Sequence, residues 1–130
     1  MVMPLEHVRV SEKARDQLIK LKRVTGIPHW NVLCRWALCV SLAEPSLPSP
    51  VKIPSDSSVD MTWKVFGGSY EEVYLGLLKQ RCEQDGLGSS DDVLATQFRL
   101  HLHRGIAYLA SDKRLKTIAD LLQRAMFESA

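Results

Sequence analysis

Four groups of residues in this chain have the side chains for chemistry: three cysteines, a close pair of histidines, two adjacent carboxylate pairs and a glycine pair. The cysteines are Cys34, Cys39 and Cys82. An odd number with no CxxC pair argues against a disulfide framework. A thiol that attacks or carries sulfur must be exposed and ionised. Arg35 neighbours Cys34 and Arg81 neighbours Cys82, but sequence neighbours on a helix point apart, and Cys39 has no basic neighbour at all. All three are therefore read as small buried apolar side chains. His101 and His103 are two apart on a helical pattern, so their rings diverge by roughly 200° at about 3.6 residues per turn. Helical metal ligands want spacings of three or four, and both are read as surface or interface histidines. His7 and His29 have no evident ligand partners. Glu71-Glu72 and Asp91-Asp92 fit helix N-termini, where carboxylates meet the positive end of the dipole, and Gly67-Gly68 fits a turn. GxxxxGK[ST], GxGxxG and GxSxG do not occur, which leaves phosphate-cradle and serine-hydrolase readings without an anchor. No catalytic constellation, metal or cofactor is expected.

Charge is the stronger signal. The net value of +2 hides an uneven distribution. Residues 1–40 hold seven Lys/Arg against three acids, residues 41–95 four against nine, and residues 96–130 six against three. Basic ends around an acidic middle suggest a polyanionic partner for one of the ends. The length of 130 residues and the 45% apolar and 25% charged fractions fit one globular domain. MVMPLEHVRV contains no apolar stretch of signal-peptide length and no window reaches a membrane span, so a cytoplasmic protein without membrane association is expected.

The elements that must position these charges can be read in order. His7-Val8-Arg9-Val10 alternates with the period of a strand. Ser11 is a helix cap with Glu12 in the first turn. Ala14, Leu18 and Leu21 then recur at helical spacing over residues 12–24, with Lys13, Arg15, Lys20, Lys22 and Arg23 on the other positions. Gly26 and Pro28 stop one helix and start the next. Over residues 29–43, Val32, Leu33, Trp36, Ala37 and Val40 line one side, with Cys34, Leu38 and Leu42 extending it. A helix this apolar predicts a subunit interface as well as core. Four prolines make residues 44–60 an extended connector. Beyond it the pattern predicts a short strand over Met61–Phe66. A helix over 70–83 follows, capped by Ser69, with Val73, Leu77 and Leu78 facing in. The next helix is capped by Ser90 and carries the stripe Leu94, Phe98, Leu102, Ile106 and Leu109. A last helix covers about 112–126.

A short strand followed by two helices, the second very apolar, is the order of a ribbon-helix-helix unit. Such a strand is useful when two chains pair their strands antiparallel into a ribbon for the major groove. Val8 and Val10 would then face the core, and His7, Arg9 and Ser11 would face outward. The expected fold is mainly α. A ribbon-helix-helix-like unit over 6–43 leads, through the connector at 44–60, to about three further helices over 61–127, all in one domain spanning 1–130.

Three segments, NVLCRWALCVSL (Asn31–Leu42), LLKQRC (Leu77–Cys82) and HLHRGIAYL (His101–Leu109), carry a resemblance to the DndE family, the small component of the bacterial DNA phosphorothioation system. The resemblance covers about residues 6–125. It implies a non-catalytic DNA-binding subunit that forms a homo-oligomer, a tetramer. Its partners would be other DNA sulfur modification proteins, a cysteine desulfurase, an iron–sulfur protein and a nucleotide-handling protein, which carry out the replacement of a phosphate oxygen by sulfur.

The site expected from charge and resemblance together is a phosphate-backbone patch of Arg9, Lys13, Arg15, Lys20, Lys22 and Arg23. It would be shared between subunits and grip double-stranded DNA, intact or nicked, without reading its sequence. Arg99, His103 and Arg104 form a second candidate. Two alternatives are a sequence-specific ribbon-helix-helix repressor and a protein scaffold that uses the acidic middle.

Overall fold

The computed structural model describes residues 6–127. Strand β1 (His7–Arg9) buries Val8, and Val10 just beyond it is sealed in the core, as the alternation requires. Helix α1 (Glu12–Thr25) starts at Ser11, whose hydroxyl accepts the Ala14 N–H at 3.1 Å. It ends at Gly26, where a left-handed φ of 74° lets the Gly26 N–H reach the Lys22 carbonyl. Ala14, Leu18 and Leu21 make the buried stripe. Helix α2 (Trp30–Ala43) turns Leu33, Cys34, Ala37, Leu38 and Ser41 inward. Val32, Trp36 and Val40, expected on the inner side, are half-buried along its flanks. The helix is apolar nearly all round, so its pattern does not set its phase. Contact with the rest of the molecule does.

The partner of β1 lies in the same chain. Strand β2 (Asp60–Thr62) pairs with it antiparallel, His7 opposite Thr62 and Arg9 opposite Asp60. The ladder is extended by Val10 N–H to the Val59 carbonyl and Trp63 N–H to the Glu6 carbonyl. On the other edge of β1 the Arg9 carbonyl accepts from the Arg99 guanidinium at 2.7 Å. The order strand, helix, helix is as expected, but the ribbon expected between two chains is closed within one.

The strand expected to reach Phe66 stops at Thr62. The Thr62 hydroxyl accepts the Val65 N–H and so caps a short helix, α3 (Trp63–Gly67). A single 3-10 turn (Gly68–Tyr70) takes in Ser69, which therefore caps nothing, and α4 (Glu71–Gln84) follows. In α4, Leu75, Leu78 and Cys82 face in, whereas Val73 and Leu77 are 55% and 42% exposed. Apolar residues at 73, 74, 75, 77 and 78 occupy more than one face, so the run alone does not choose between phases.

Helix α5 (Asp91–Ser111) is the central element. Ser90 caps it, and Leu94, Phe98, Leu102, Ile106 and Leu109 are all buried, as their spacing predicts. Its packing on α2 is the most extensive helix pair in the molecule. The two backbones meet at Gly105, where an added Cβ would lie 1.7 Å from the Ala37 carbonyl oxygen. Trp63, Phe66, Tyr74 and Phe98 form an aromatic cluster with ring centroids 5.1–5.6 Å apart. Helix α6 (Ile118–Phe127) begins later than expected and is pinned by buried Leu121 and by Arg124 on Asp112 at 2.7 Å.

The connector is strapped down by arginines. Prolines supply carbonyls without N–H groups, and guanidinium donors satisfy them. Buried Arg81 donates to the carbonyls of Leu42, Pro45 and Ser46 and pairs with Asp85. Arg104 reaches Ser46 and Ser41, and Arg99 reaches Ile53 and Pro54. Truncating any of these would leave partly buried acceptors unpaired, the costly half of a lost hydrogen bond.

Candidate nucleic-acid interface

The basic residues of α1 divide by helical phase. With about 100° per residue, Arg23 falls opposite the buried stripe of Ala14, Leu18 and Leu21, with Lys13 and Lys20 on one flank and Arg15 and Lys22 on the other. Lys13, Lys20 and Arg23 are therefore exposed, whereas Arg15 and Lys22 border the stripe and are half-buried.

Lys20 donates its ammonium to the Ala110 carbonyl at 2.7 Å. That carbonyl belongs to the last turn of α5, where four acceptors lack helical partners and the dipole is negative. Lys22 lies over the Trp30 ring, 3.8 Å from its centroid, a cation–π contact that ties α1 to α2. Arg15 pairs with Asp16 at 3.7 Å. Arg9 pairs with Asp60 across the β ribbon at 3.2 Å, with His7 3.6 Å from the same carboxylate. These are exposed pairs of small energetic weight, so Arg9 and Arg15 can exchange their partners for phosphate. Among the described residues, Lys13 and Arg23 are exposed with neither an ion pair nor a hydrogen bond from the side chain. The expected patch thus resolves into two unengaged cations, two in weak surface pairs and two with work inside the fold.

The second candidate, Arg99, His103 and Arg104, is occupied by structure. Both arginines hold the connector. His103 is half-buried, and burial pushes its pKa down, against the opposing pull of its bond to the Arg99 carbonyl. It donates Nδ1–H to that carbonyl and accepts the Ser11 N–H on Nε2 at 3.2 Å. It thereby locks the start of α1 to α5. Sequence reasoning placed these three by charge and could not foresee that the proline-rich connector would claim them.

The histidines and cysteines also need correction. His101 is fully buried, not at a surface. Arg104 Nε donates to the Ser41 hydroxyl, and that hydroxyl lies 2.8 Å from His101 Nδ1. The other ring nitrogen, Nε2, is buried without a hydrogen-bond partner. Burial first, then the charges of Arg104 and Arg81, push the His101 pKa down to about 4. Cys34 and Cys82 are buried as expected, and burial pushes the Cys34 thiol up to about 12. Cys39 is exposed on the outer edge of α2, though partial burial still raises its pKa. None of the three has the lowered pKa of a reactive thiolate. Among the described residues no group of three or more His, Cys, Asp or Glu could hold a metal ion, and no helix is long and apolar enough to cross a membrane.

Comparison with known proteins is specific. The family model described as DNA sulphur modification protein DndE matches residues 7–117. The fold is similar to the crystal structure of DndE from Escherichia coli B7A, described as involved in DNA phosphorothioation modification. The TM-score is 0.68 at 25% identity, over 83% of this chain and 99% of that one. It is also similar to a double glycine-to-lysine mutant of DndE, with a TM-score of 0.61 at 22% identity over 80% of this chain and 97% of that one. No curated protein sequence matches the chain.

Proposed function

The chain belongs to the DndE family of DNA sulphur modification proteins, and from that premise we propose that it is the non-catalytic DNA-binding subunit of a phosphorothioation machinery, gripping the phosphate backbone through α1. The observation that carries this reading is the charge of α1, five bases against two acids, with Lys13 and Arg23 exposed and unengaged by the protein. Cations without internal partners are the ones that lose least on meeting a phosphate. Arg9 and Arg15 add to them from weak surface pairs. Contacts of this kind give affinity that falls with salt and ignores sequence.

Assembly of a homo-oligomer, a tetramer, would bring several α1 helices into one field. The outer edge of α2, with Trp36, Cys39, Val40 and Ala43 open to a groove of about 740 Å³, supplies an apolar face for it. The exposed Tyr70, Val73 and Leu77 on the acidic middle segment suit contact with other proteins of the same system. The sequence-specific repressor reading is weakened by the closure of β1 onto β2, because a ribbon already paired within one chain needs no second strand.

The test is DNA binding over a salt series on intact and nicked duplexes of unrelated sequence, with oligomer mass measured alongside. The slope should be about 0.9 per phosphate neutralised. A Lys13→Glu, Arg23→Glu variant should bind at least about tenfold more weakly, with a slope shallower by about one or more. Binding unchanged in that variant, or absent from the native protein at low salt, would defeat the proposal and leave the scaffold reading in its place.

A further inference from the structure

A second concavity lies away from the outer edge of α2, between the first turns of α1, the strapped connector and the outer face of α5. It encloses about 680 Å³, the size of a small-molecule site. The apolar part of its lining is aliphatic: Ala14 from α1, Val51 and Ile53 from the connector, Leu100 and Ala107 from α5. Two lysines from different elements, Lys13 and Lys52, are exposed and contribute to its lining. Among the described residues neither has an internal partner. This sets them apart from Lys20, Arg81, Arg99 and Arg104, each of which is spent on a carbonyl. Two carboxylates line the same mouth, Glu12 and Asp56, the latter accepting the Glu12 N–H at 2.9 Å; with Arg104 also in the lining, the cations outnumber them three to two. Tyr108, 37% exposed, closes one end with Arg104 over its ring.

The cleft is held open in advance. Arg99 fixes the connector through Ile53 and Pro54, Asp56 ties it to α1, and His103 ties α1 to α5. A ligand would have no ordering cost to meet in its walls. An apolar floor, a cationic edge and preorganised walls describe one chemistry. We propose that this cleft binds an amphiphilic organic anion, a compact aliphatic or aromatic body bearing one carboxylate, sulfonate or phosphate. The body lies on Leu100, Ala107 and Val51, and the anion sits between Lys13 and Lys52. The proposal goes beyond the DNA reading and does not depend on it. Lys13 serves both sites, whereas Lys52 and Ala107 belong to the cleft alone.

The experiment titrates the full chain, without DNA, with the fluorescent probe anilinonaphthalenesulfonate, an aromatic body with one sulfonate. Its neutral analogue phenylnaphthylamine and inorganic phosphate serve as comparison probes. Saturable binding is expected, weakened about tenfold by Ala107→Trp, which fills the floor, and severalfold by Lys52→Glu. Ala43→Trp, in the groove beside α2, should leave it unchanged. Phenylnaphthylamine and phosphate should each bind at least about tenfold more weakly, since each offers half of the recognition. Thermal melting of each variant confirms that it is folded. Binding that ignores both cleft variants, or responds only to Ala43→Trp, or is as strong for either half-probe, would overturn the proposal. DNA affinity measured separately on Lys52→Glu keeps the two readings apart, because that residue lies outside the α1 patch.

Discussion

Gly105→Ala is the sharpest perturbation the fold offers. Gly105 faces α2 at the point where the two helix backbones touch. A methyl group there would lie 1.7 Å from the Ala37 carbonyl oxygen, 2.4 Å from its carbon and 2.9 Å from its Cα. All three are backbone atoms and none can rotate away. Restoring ordinary contact requires α2 and α5 to part by well over an ångström along their most extensive interface. Overpacking of this kind costs about 1–3 kcal/mol and sometimes more, and rigid backbone on both sides puts this case near about 3–4 kcal/mol. Replacing glycine within a helix returns up to about 1 kcal/mol, leaving a net loss of about 2–3 kcal/mol. At about 2.1 cal/mol/K of unfolding entropy per residue, the 130-residue chain should melt about 9 °C lower. The assay is thermal unfolding followed by far-UV circular dichroism at fixed protein concentration, since any assembly makes Tm concentration-dependent. Gly76→Ala is the matched control. That glycine lies in α4 with nothing within 4 Å of an added Cβ, so it should gain about 0.5–1 kcal/mol and melt a few degrees higher. A Gly105→Ala protein that melts at or above the native temperature would refute the close approach of α2 and α5.

Three further outcomes follow from groups whose surroundings are now fixed. The His101 pKa is depressed in the folded state, so the unfolded chain takes up the proton first as pH falls. Stability should therefore decline from about pH 6.5 to about pH 4, by an amount on the order of 3 kcal/mol; urea midpoints for native protein and His101→Gln should converge at the acid end if the reasoning holds. With the α2 face unassembled, one thiol per chain should react with a disulfide reagent at alkaline pH, and Cys39→Ser should abolish it, because Cys34 and Cys82 are buried; mass spectrometry counts the adducts. Lys20→Met should lose about 1 kcal/mol of stability, the worth of a charge-assisted cap on the last turn of α5. It should also flatten the salt dependence of DNA binding less than Lys13→Met does, and equal effects of the two on DNA would show that Lys20 is not committed to the fold.

The sequence by itself determined whatever depends on local periodicity and capping. Ser11 and Ser90 cap where they were expected to, Gly26 ends α1, and the single clean stripe of α5 admits one phase only. The charge distribution located the basic helix, because sealing Ala14, Leu18 and Leu21 leaves its lysines and arginines no other side to occupy. The segments resembling DndE identified a family that the comparisons bear out. Tertiary structure decided the rest. Where apolar residues surround a helix, as in α2 and α4, the pattern has no preferred direction, and the neighbours chose which side to bury; Val73 and Leu77 ended outside for that reason. The strand β1 needed a partner that its own residues could not name, and the chain supplied β2 from beyond the connector. The same long-range closure sorted the cations. Arg81, Arg99, Arg104 and Lys20 answer carbonyls 35 to 90 residues away, left without helical or sheet partners in the proline-rich connector, at a helix end and on the free edge of β1. Only the folded chain separates those cations from Lys13 and Arg23, because charge is written in the sequence but the acceptor that consumes it is brought by packing.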